Sequence, residues 1–493
     1  MTTLNEWLEG HTGQTHKNFI NGEWVKSLSQ ETFEIYNPAQ KNQVLGFFQA
    51  SVEEDVNAAV ESAHEAFKSW SQIPGPDRGA ILMRFADLLE KHSDEVAFIL
   101  SAEQGKVLAE SKGEVGRAVK ETRFIAGEAL RIEGSTLPSE KSNISTSVLH
   151  TPLGVVAAIA PWNFPVVTPV RKIAPALAYG CTVVYKPASE TPWSSVRLME
   201  LFKEAGVPNG VVNLVTGGGS KVGNPLITHP LVKGISFTGS TEIGLGINEK
   251  ATRLLKKTQL ELGGKNPAVV VDYSDVDYVA KQIVSAAFAC SGQRCTSISR
   301  VVVLKEKAEE VTQAIRKELE HIKVGPASDN SATIGPLVSQ DQLDTTTEYI
   351  KVGKEEGATL AYGGDILAEG YYADGHYIVP SLFTGVKPEM RIATEEIFGP
   401  VLSIIEVENV DEAISVANNV KYGLAASIFT NDLSLAYRFV NEVESGMVHV
   451  NHGTASQAHA PFGGVKESGY GAFSIGKTNK DFFTEMKVAY FQY

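Results

Sequence analysis

Cysteine is scarce in this chain: three in 493 residues, at positions 181, 290 and 295. Cys295 stands in SGQRCTSISR (291–300), behind Gly292 and Arg294 and ahead of Thr296 and further small hydroxylated residues. An odd count without a secretory signal speaks against a disulfide framework. No second Cys or His pair at ligand spacing accompanies Cys290 and Cys295, which speaks against zinc. What is left is a reactive thiol or a small core residue.

Other strings offer complementary chemistry. PWNFP (161–165) follows the apolar run VVAAIA, so prolines fix the backbone on both sides of Asn163 at a strand end, where ligands gather in open α/β sheets. That asparagine either shapes a turn or gives its amide to a developing oxyanion, a contact worth about 2.7–4 kcal/mol in other enzymes. LELGGKNP (260–267) sets Glu261 before two glycines, as a solvated charge or as a general base free to swing in once another group has left. VTGGGSKVG (215–223) and FTGSTEIG (237–244) put glycine and hydroxyl residues between strand and helix. Each is either a tight connection or a backbone cradle for pyrophosphate, and two in one unit favour a nucleotide although neither is G-x-G-x-x-G.

Elements that would position these residues follow from periodicity. Helices open the chain between Val52 and Lys91, where apolar residues recur at helical spacing. A Ser/Thr-rich stretch near 134–150 reads as a loop leading into an exposed strand or hairpin arm. Between 153 and 271, the runs VVAAIAP, TVVYKP, VVNLVTG, GISFTG and PAVVVD alternate with helix-length spacers such as SSVRLMELFKEAG, the pattern of an α/β unit with a parallel sheet. A second α/β alternation follows Asp272: a helix near 276–289, RVVVLK, EEVTQAIRKELEHI, VLSIIEV and DEAISVANN.

Composition narrows the function classes. A chain this long, 43% hydrophobic and 21% charged, exceeds one compact core. Its formal charge of -14, with no concentrated basic stretch, argues against a nucleic-acid partner. MTTLNEWLEGHTGQTHKNF lacks the basic start and apolar core of a signal peptide, and no apolar run approaches the roughly 20 residues that span a bilayer, so the expectation is a cytoplasmic protein without a membrane partner.

PWNFP, FTGSTEIG, LELGGKNP, GQRC, EEIFGP (395–400) and PFGGVKESGYG (461–471), in this order across nearly the whole chain, resemble the aldehyde dehydrogenase superfamily. The resemblance implies an α/β fold of two Rossmann-like domains plus a small β oligomerisation arm. The dinucleotide-binding domain would take 1–130 and 150–262, the catalytic domain 263–460, and oligomerisation elements 131–149 and 480–493, giving a homodimer or homotetramer. It makes Cys295 the nucleophile, whose thiohemiacetal yields hydride to NAD or NADP and becomes a thioester. An ordinary thiol is only a few per cent ionised at neutral pH, so the site must lower its pKa or deprotonate it on demand. Cys181 and Cys290 are read as core. Glu261 matches the base for the deacylating water, Asn163 the oxyanion donor, and Lys172 a group in proton handling. Lys186, Ser189, Gly219, Phe237, Gly239, Ser240, Gly244 and Leu262, with Pro161 and Trp162, match the dinucleotide surroundings; Glu396 and Phe398 match the nicotinamide ribose and ring positions.

Two positions depart from the commonest pattern. Ser189 stands where many NAD-specific members carry a glutamate, which permits NADP, while Glu190 beside it leaves the preference open. Ser474 stands in place of an acid that some members use to relay protons, which leaves Lys172 without its usual partner. For the substrate, Arg171 replaces the aromatic residue of members acting on plain aldehydes and is similar to the arginine of the succinic-semialdehyde branch. It is either the site of a distal carboxylate or a surface helix residue paired with an acid. Ala289 stands where some of that branch place a second arginine, which brings 2-oxoglutaric semialdehyde or another anionic aldehyde level with succinic semialdehyde. Phe164, Arg294, Thr296, Ser456, Gln457 and Phe462 complete the expected substrate surroundings. The competing readings are a dehydrogenase for neutral aldehydes, a CoA-acylating enzyme, which Glu261 disfavours, and a non-catalytic protein of the same fold.

Overall fold

Val155–Ile159, Thr182–Lys186, Val212–Leu214, Val232–Thr238 and Lys257–Glu261 are short and largely buried, as strands covered on both faces must be. In the computed structural model, which describes residues 3–493, they form the parallel centre of an eight-stranded sheet. Alternate residues serve opposite faces: Val156, Ala158 and Val183 pack into one apolar cluster, and Val155, Ala157 and Val184 into another. Val155–Ile159 lies at the centre, with Thr182–Lys186 on one side and Val232–Thr238 on the other. The chain therefore reverses its winding direction at this strand, and a crevice opens where the C-terminal ends of Val155–Ile159 and Val232–Thr238 diverge. The turns 160–166 and 239–240 lie there.

A seven-stranded sheet runs in the order Thr359–Tyr362, Ser381–Thr384, Val401–Val407, Ile298–Leu304, Asn266–Val270, Ala425–Phe429, Met447–Val450. All neighbours are parallel except the first pair. Glu261 ends the last parallel strand of the first sheet and Asn266 begins a strand of the second, so the five-residue step between them joins the two sheets. Cys295 lies just before Ile298–Leu304. Ser135–Leu137, Ile144–Pro152 and Thr484–Gln492 form a separate antiparallel sheet whose last strand leaves Met486, Tyr490 and Phe491 exposed.

The start of the chain differs from expectation. A helix at Leu4–His11 and strands from Gln14 to Gln49 precede the helices Glu53–Trp70 and Gly75–Lys91. Asn18–Ile20 and Glu23–Val25 complete the edge of the large sheet, so their pairing was a tertiary matter. Two more helices follow, Ser93–Gln104 and Leu108–Glu128, and the second proves central to the site. Among the described residues no helix is long and apolar enough to cross a membrane, and no cluster of side chains is suited to hold a metal.

Candidate active site

Asn163 is held by buried charge. Lys106 Nζ donates to the Asn163 carbonyl and to Glu114 Oε2, both at 2.7 Å. Glu114 Oε1 in turn accepts the N–H groups of Val166 and Val167, at 2.8 and 3.0 Å, where the helix Val167–Ala178 begins. A carboxylate at a helix N-terminus satisfies donors that have no partner within the helix. The Asn163 amide donates to the Gln293 carbonyl at 2.9 Å, which occupies one of its two N–H groups.

The loop that carries Cys295 is bent sharply. Cys290, Ser291 and Gly292 all have left-handed backbones, with φ of 54, 55 and 72°, a conformation that non-glycine residues keep only when the surroundings enforce it. Here the Cys290 N–H donates to Glu110 Oε1 and the Ser291 hydroxyl to the Gly335 carbonyl, each at 2.7 Å. Gly292 is required twice over: its φ is positive, and a Cβ would lie 2.4 Å from the Gly399 carbonyl oxygen. Gln293 completes the brace, donating to the Cys290 carbonyl and accepting from the Val338 N–H.

Glu261 is 3% exposed at its strand end. Thr238 Oγ1 donates to its Oε2 at 3.0 Å, Ser474 Oγ donates to its Oε1, and Arg171 lies 4.0 Å from Oε2. Ser474, which replaces an acid, thus engages Glu261 itself. Lys172 turns elsewhere, onto Ser236 Oγ at 3.2 Å, and Ser236 passes the hydrogen bond to Gln259. Burial pushes its amine down to about 8, partly countered by Glu261.

Cavities meet at Cys295 from two sides. One, of about 230 Å³, is bounded by Pro161, Trp162, Asn163, Thr238, Gly239, Ser240, Leu262, Gly263, Gln342, Glu396 and Phe398. The other, of about 390 Å³, includes Asn163, Phe164, Arg171, Glu261, Arg294, Thr296, Ser456 and Phe462 in its wall. The thiol therefore stands between them, with the amide and the carboxylate beside it. Burial pushes the Cys295 thiol up to about 12, reinforced by the charges of Glu261 and Glu396 and only partly opposed by Arg171 and Arg294. A sulfur so placed favours the thiol form, and an attack by it would first require loss of that proton.

A profile of the aldehyde dehydrogenase family matches residues 24–489. The alpha-ketoglutaric semialdehyde dehydrogenase of Bacillus subtilis is 43% identical over 477 residues, covering 97% of this chain and 98% of the relative. The chain belongs to the aldehyde dehydrogenase family. Phenylacetaldehyde dehydrogenase of Pseudomonas fluorescens is also 43% identical, over 92% of each chain. The crystal structure of Staphylococcus aureus betaine aldehyde dehydrogenase in complex with NAD+ superposes with a TM-score of 0.96 at 34% identity, covering 99% and 97% of the two chains.

The smaller cavity suits the dinucleotide of this aldehyde dehydrogenase. Gly239 and Ser240 line it directly before the helix Thr241–Arg253, whose N-terminal amides favour a phosphate. Phe398 meets the Trp162 ring edge-on at 5.3 Å, and Glu396 accepts the Gly264 N–H at 2.8 Å. Burial pushes the Glu396 carboxyl up to about 7, so a ligand hydroxyl would give it a needed partner. Lys186 is buried with its amine on the Pro187 carbonyl at 2.8 Å, and burial pushes it down to about 8. Ser189 is half-buried near it, Glu190 is exposed, and Gly219 lies exposed in the turn after Val212–Leu214. Phe237 and Gly244 belong to the packing beneath: Phe237 is core, and a Cβ on Gly244 would strike Leu262.

Not every expected residue converges. Gln457 is exposed and outside the substrate cavity, and Lys172 borders neither cavity. Cys181 is fully buried, while Cys290 is buried yet touches the cavity wall. Residues that the sequence reading missed are Lys106, Glu110, Glu114, Arg117 and Glu121, together with Gln342, which donates to the Ile397 and Phe398 carbonyls. Glu110, Glu114, Arg117 and Glu121 follow one helical stripe at spacings of four, three and four, and Lys106 stands just before that helix. Such a stripe ordinarily marks a solvated face, and only its inward orientation separates the cases.

Proposed function

We propose that this aldehyde dehydrogenase oxidises a small carboxylated aldehyde to its acid, using NAD or NADP. The observation that carries this reading is Arg171. It is largely enclosed in the wall of the thiol's larger cavity, its side chain 9% exposed, stacked over Phe462 at 4.8 Å and 4.0 Å from Glu261. Arg171 also forms a two-point pair with Glu121, at 3.0 and 3.1 Å. The two alternatives of the sequence reading thus coexist: the arginine is paired with an acid, but inside the cavity. The semialdehyde relative quoted above agrees with an anionic substrate.

Chemistry follows from the positions. Cys295 Sγ attacks the aldehyde carbon, and the resulting oxyanion takes the free Asn163 N–H and the Cys295 backbone N–H. Glu261, whose charge presses on the thiol, accepts a proton and later takes one from the water that cleaves the thioester. The bound dinucleotide supplies the hydride acceptor, held by Lys186, Glu396, Phe398 and the 239–240 turn. Thr238 and Ser474 aim Glu261, and proton handling rests on it rather than on Lys172. A carboxylate reserved for water favours hydrolysis over transfer to coenzyme A, so turnover is expected without CoA. Ser189 leaves room for a 2′-phosphate, making NADP acceptable.

We assign the first sheet with 1–130 and 150–262 to dinucleotide binding and 263–460 to catalysis. The exposed apolar strand Thr484–Gln492, with 131–149, serves a homodimer or homotetramer. A nucleophile that must stay a thiol suits a reducing, cytoplasmic setting.

The test is kcat/KM for carboxylated and neutral aldehydes of equal length, with both nicotinamides. In R171L, KM for the carboxylated member is expected to rise by about 10- to 100-fold, with little change for the neutral one. Equal effects on both would leave Arg171 a structural role. Phe164 and Phe462 in the cavity, and the phenylacetaldehyde dehydrogenase relative, favour a second reading: a wild-type preference for the neutral aldehyde would select it.

A further inference from the structure

We propose that Arg117 supplies the second cationic contact for the distal carboxylate, a specificity-determining position on a different helix from Arg171. The inference rests on the reading of the substrate as a carboxylated aldehyde. Ala289 lines the cavity without any polar side chain, so a second contact has to come from elsewhere. Arg117 also lines the cavity, projecting from Leu108–Glu128 one turn before Glu121.

The pairing around Glu121 singles out Arg117. The Glu121 carboxylate is buried and shared by two guanidinium groups: Arg117 Nε reaches Oε1 at 2.6 Å, and Arg171 holds both oxygens. Arg171 is shared in turn with Glu261, so the two guanidinium groups face two carboxylates. Arg171 has committed Nε and its NH2 nitrogen to Glu121, with its NH1 nitrogen toward Glu261. Arg117 has tied Nε to Glu121 and its NH1 nitrogen to the Ser456 carbonyl, while its NH2 nitrogen is buried with no acceptor. A buried guanidinium nitrogen without an acceptor is costly, and a ligand oxygen removes the cost. An unpartnered guanidinium nitrogen on a residue of the cavity wall suits a carboxylate oxygen, whose geometry matches the planar fork.

The experiment compares wild type, R117L, R117Q and R117K with succinic semialdehyde and with butanal. R117L and R117Q should raise KM for succinic semialdehyde by about 10- to 100-fold. Turnover and kcat/KM for butanal should stay within about twofold, and R117K should recover part of the loss. Glutarate, used as a non-reacting dicarboxylate, should protect Cys295 from alkylation in wild type and lose that protection in R117Q, a readout that needs no turnover. Equal effects on both aldehydes, or undiminished glutarate protection in R117Q, would overturn the assignment while leaving an R171L-sensitive carboxylate preference intact. A wild type without any preference for the carboxylated aldehyde would instead sink the substrate reading beneath it.

Discussion

The two sides of Cys295 are built differently. On the side proposed for the cofactor, the wall consists largely of turns and backbone: Pro161, Gly239, Ser240, Leu262 and Gly263, with Glu396 as a buried acid. On the side proposed for the substrate, the helix Leu108–Glu128 projects Lys106-paired Glu114 and Arg117 into the interior, and Val167–Ala178 adds Glu121-bound Arg171. A backbone wall recognises what every dinucleotide shares, because amides and helix ends are fixed by the fold. A side-chain wall is changed by single substitutions, which suits the proposed role of setting which aldehyde enters. Changes on one side should therefore leave the other side's KM nearly unaltered.

The junction between the two sides should give the largest loss of turnover. C295A is expected to lose turnover by at least about 10³-fold while dinucleotide binding persists, measured by fluorescence titration; retained turnover would reject the sulfur as nucleophile. Next in size is E261Q, where the steady-state rate should fall by about 10²–10⁴-fold and the first burst of reduced cofactor should slow as well, because the proposed base serves first the thiol and then the water. The same variant tests the thiol. Since burial and then the Glu261 charge push Cys295 up to about 12, alkylation of the free enzyme should accelerate with each pH unit through the alkaline range. Removing that negative charge should move the whole profile to lower pH, and an unmoved profile would contradict the coupling.

Smaller effects sharpen the contrast between the walls. In G263A the new Cβ would fall 2.3 Å from Glu396 Oε2, so KM for the dinucleotide should rise by about tenfold, an effect of order 1.4 kcal/mol, with aldehyde KM unchanged. A rise in aldehyde KM instead would mean that the walls are not independent. The least change is expected of S474A, which loses one donor to Glu261: kcat should fall by about 2- to 10-fold, with recovery in S474T, and both KM values should hold.

Legibility followed the source of each contact. Cys295, Asn163 and Glu261 stood out because each lies in a short string with an unusual neighbour: an otherwise sparse thiol, flanking prolines, a double glycine. Parallel strands were readable as apolar runs separated by helix-length spacers. Leu108–Glu128 was not, because its inward face carries Glu110, Glu114, Arg117 and Glu121, which blurs the apolar period. The strands between Gln14 and Gln49 were missed for a related reason: several are edge strands of two or three residues, too short to show an alternation. Gln457 was expected in the substrate wall because its neighbours are there, yet an irregular loop imposes no period, and its side chain faces solvent.

The chain's own order of residues marked the candidate nucleophile, the amide, the carboxylate and the glycine turns, because local chemistry at fixed short spacing is written along one dimension. Which charges neutralise one another was decided only in three dimensions. Lys106 with Glu114, Arg117 and Arg171 with Glu121, and Ser474 with Glu261 are brought together across 8 to 213 positions or across one helical turn by packing. Burial then makes each pairing obligatory, since a charge withdrawn from water needs a partner that only the folded chain can supply.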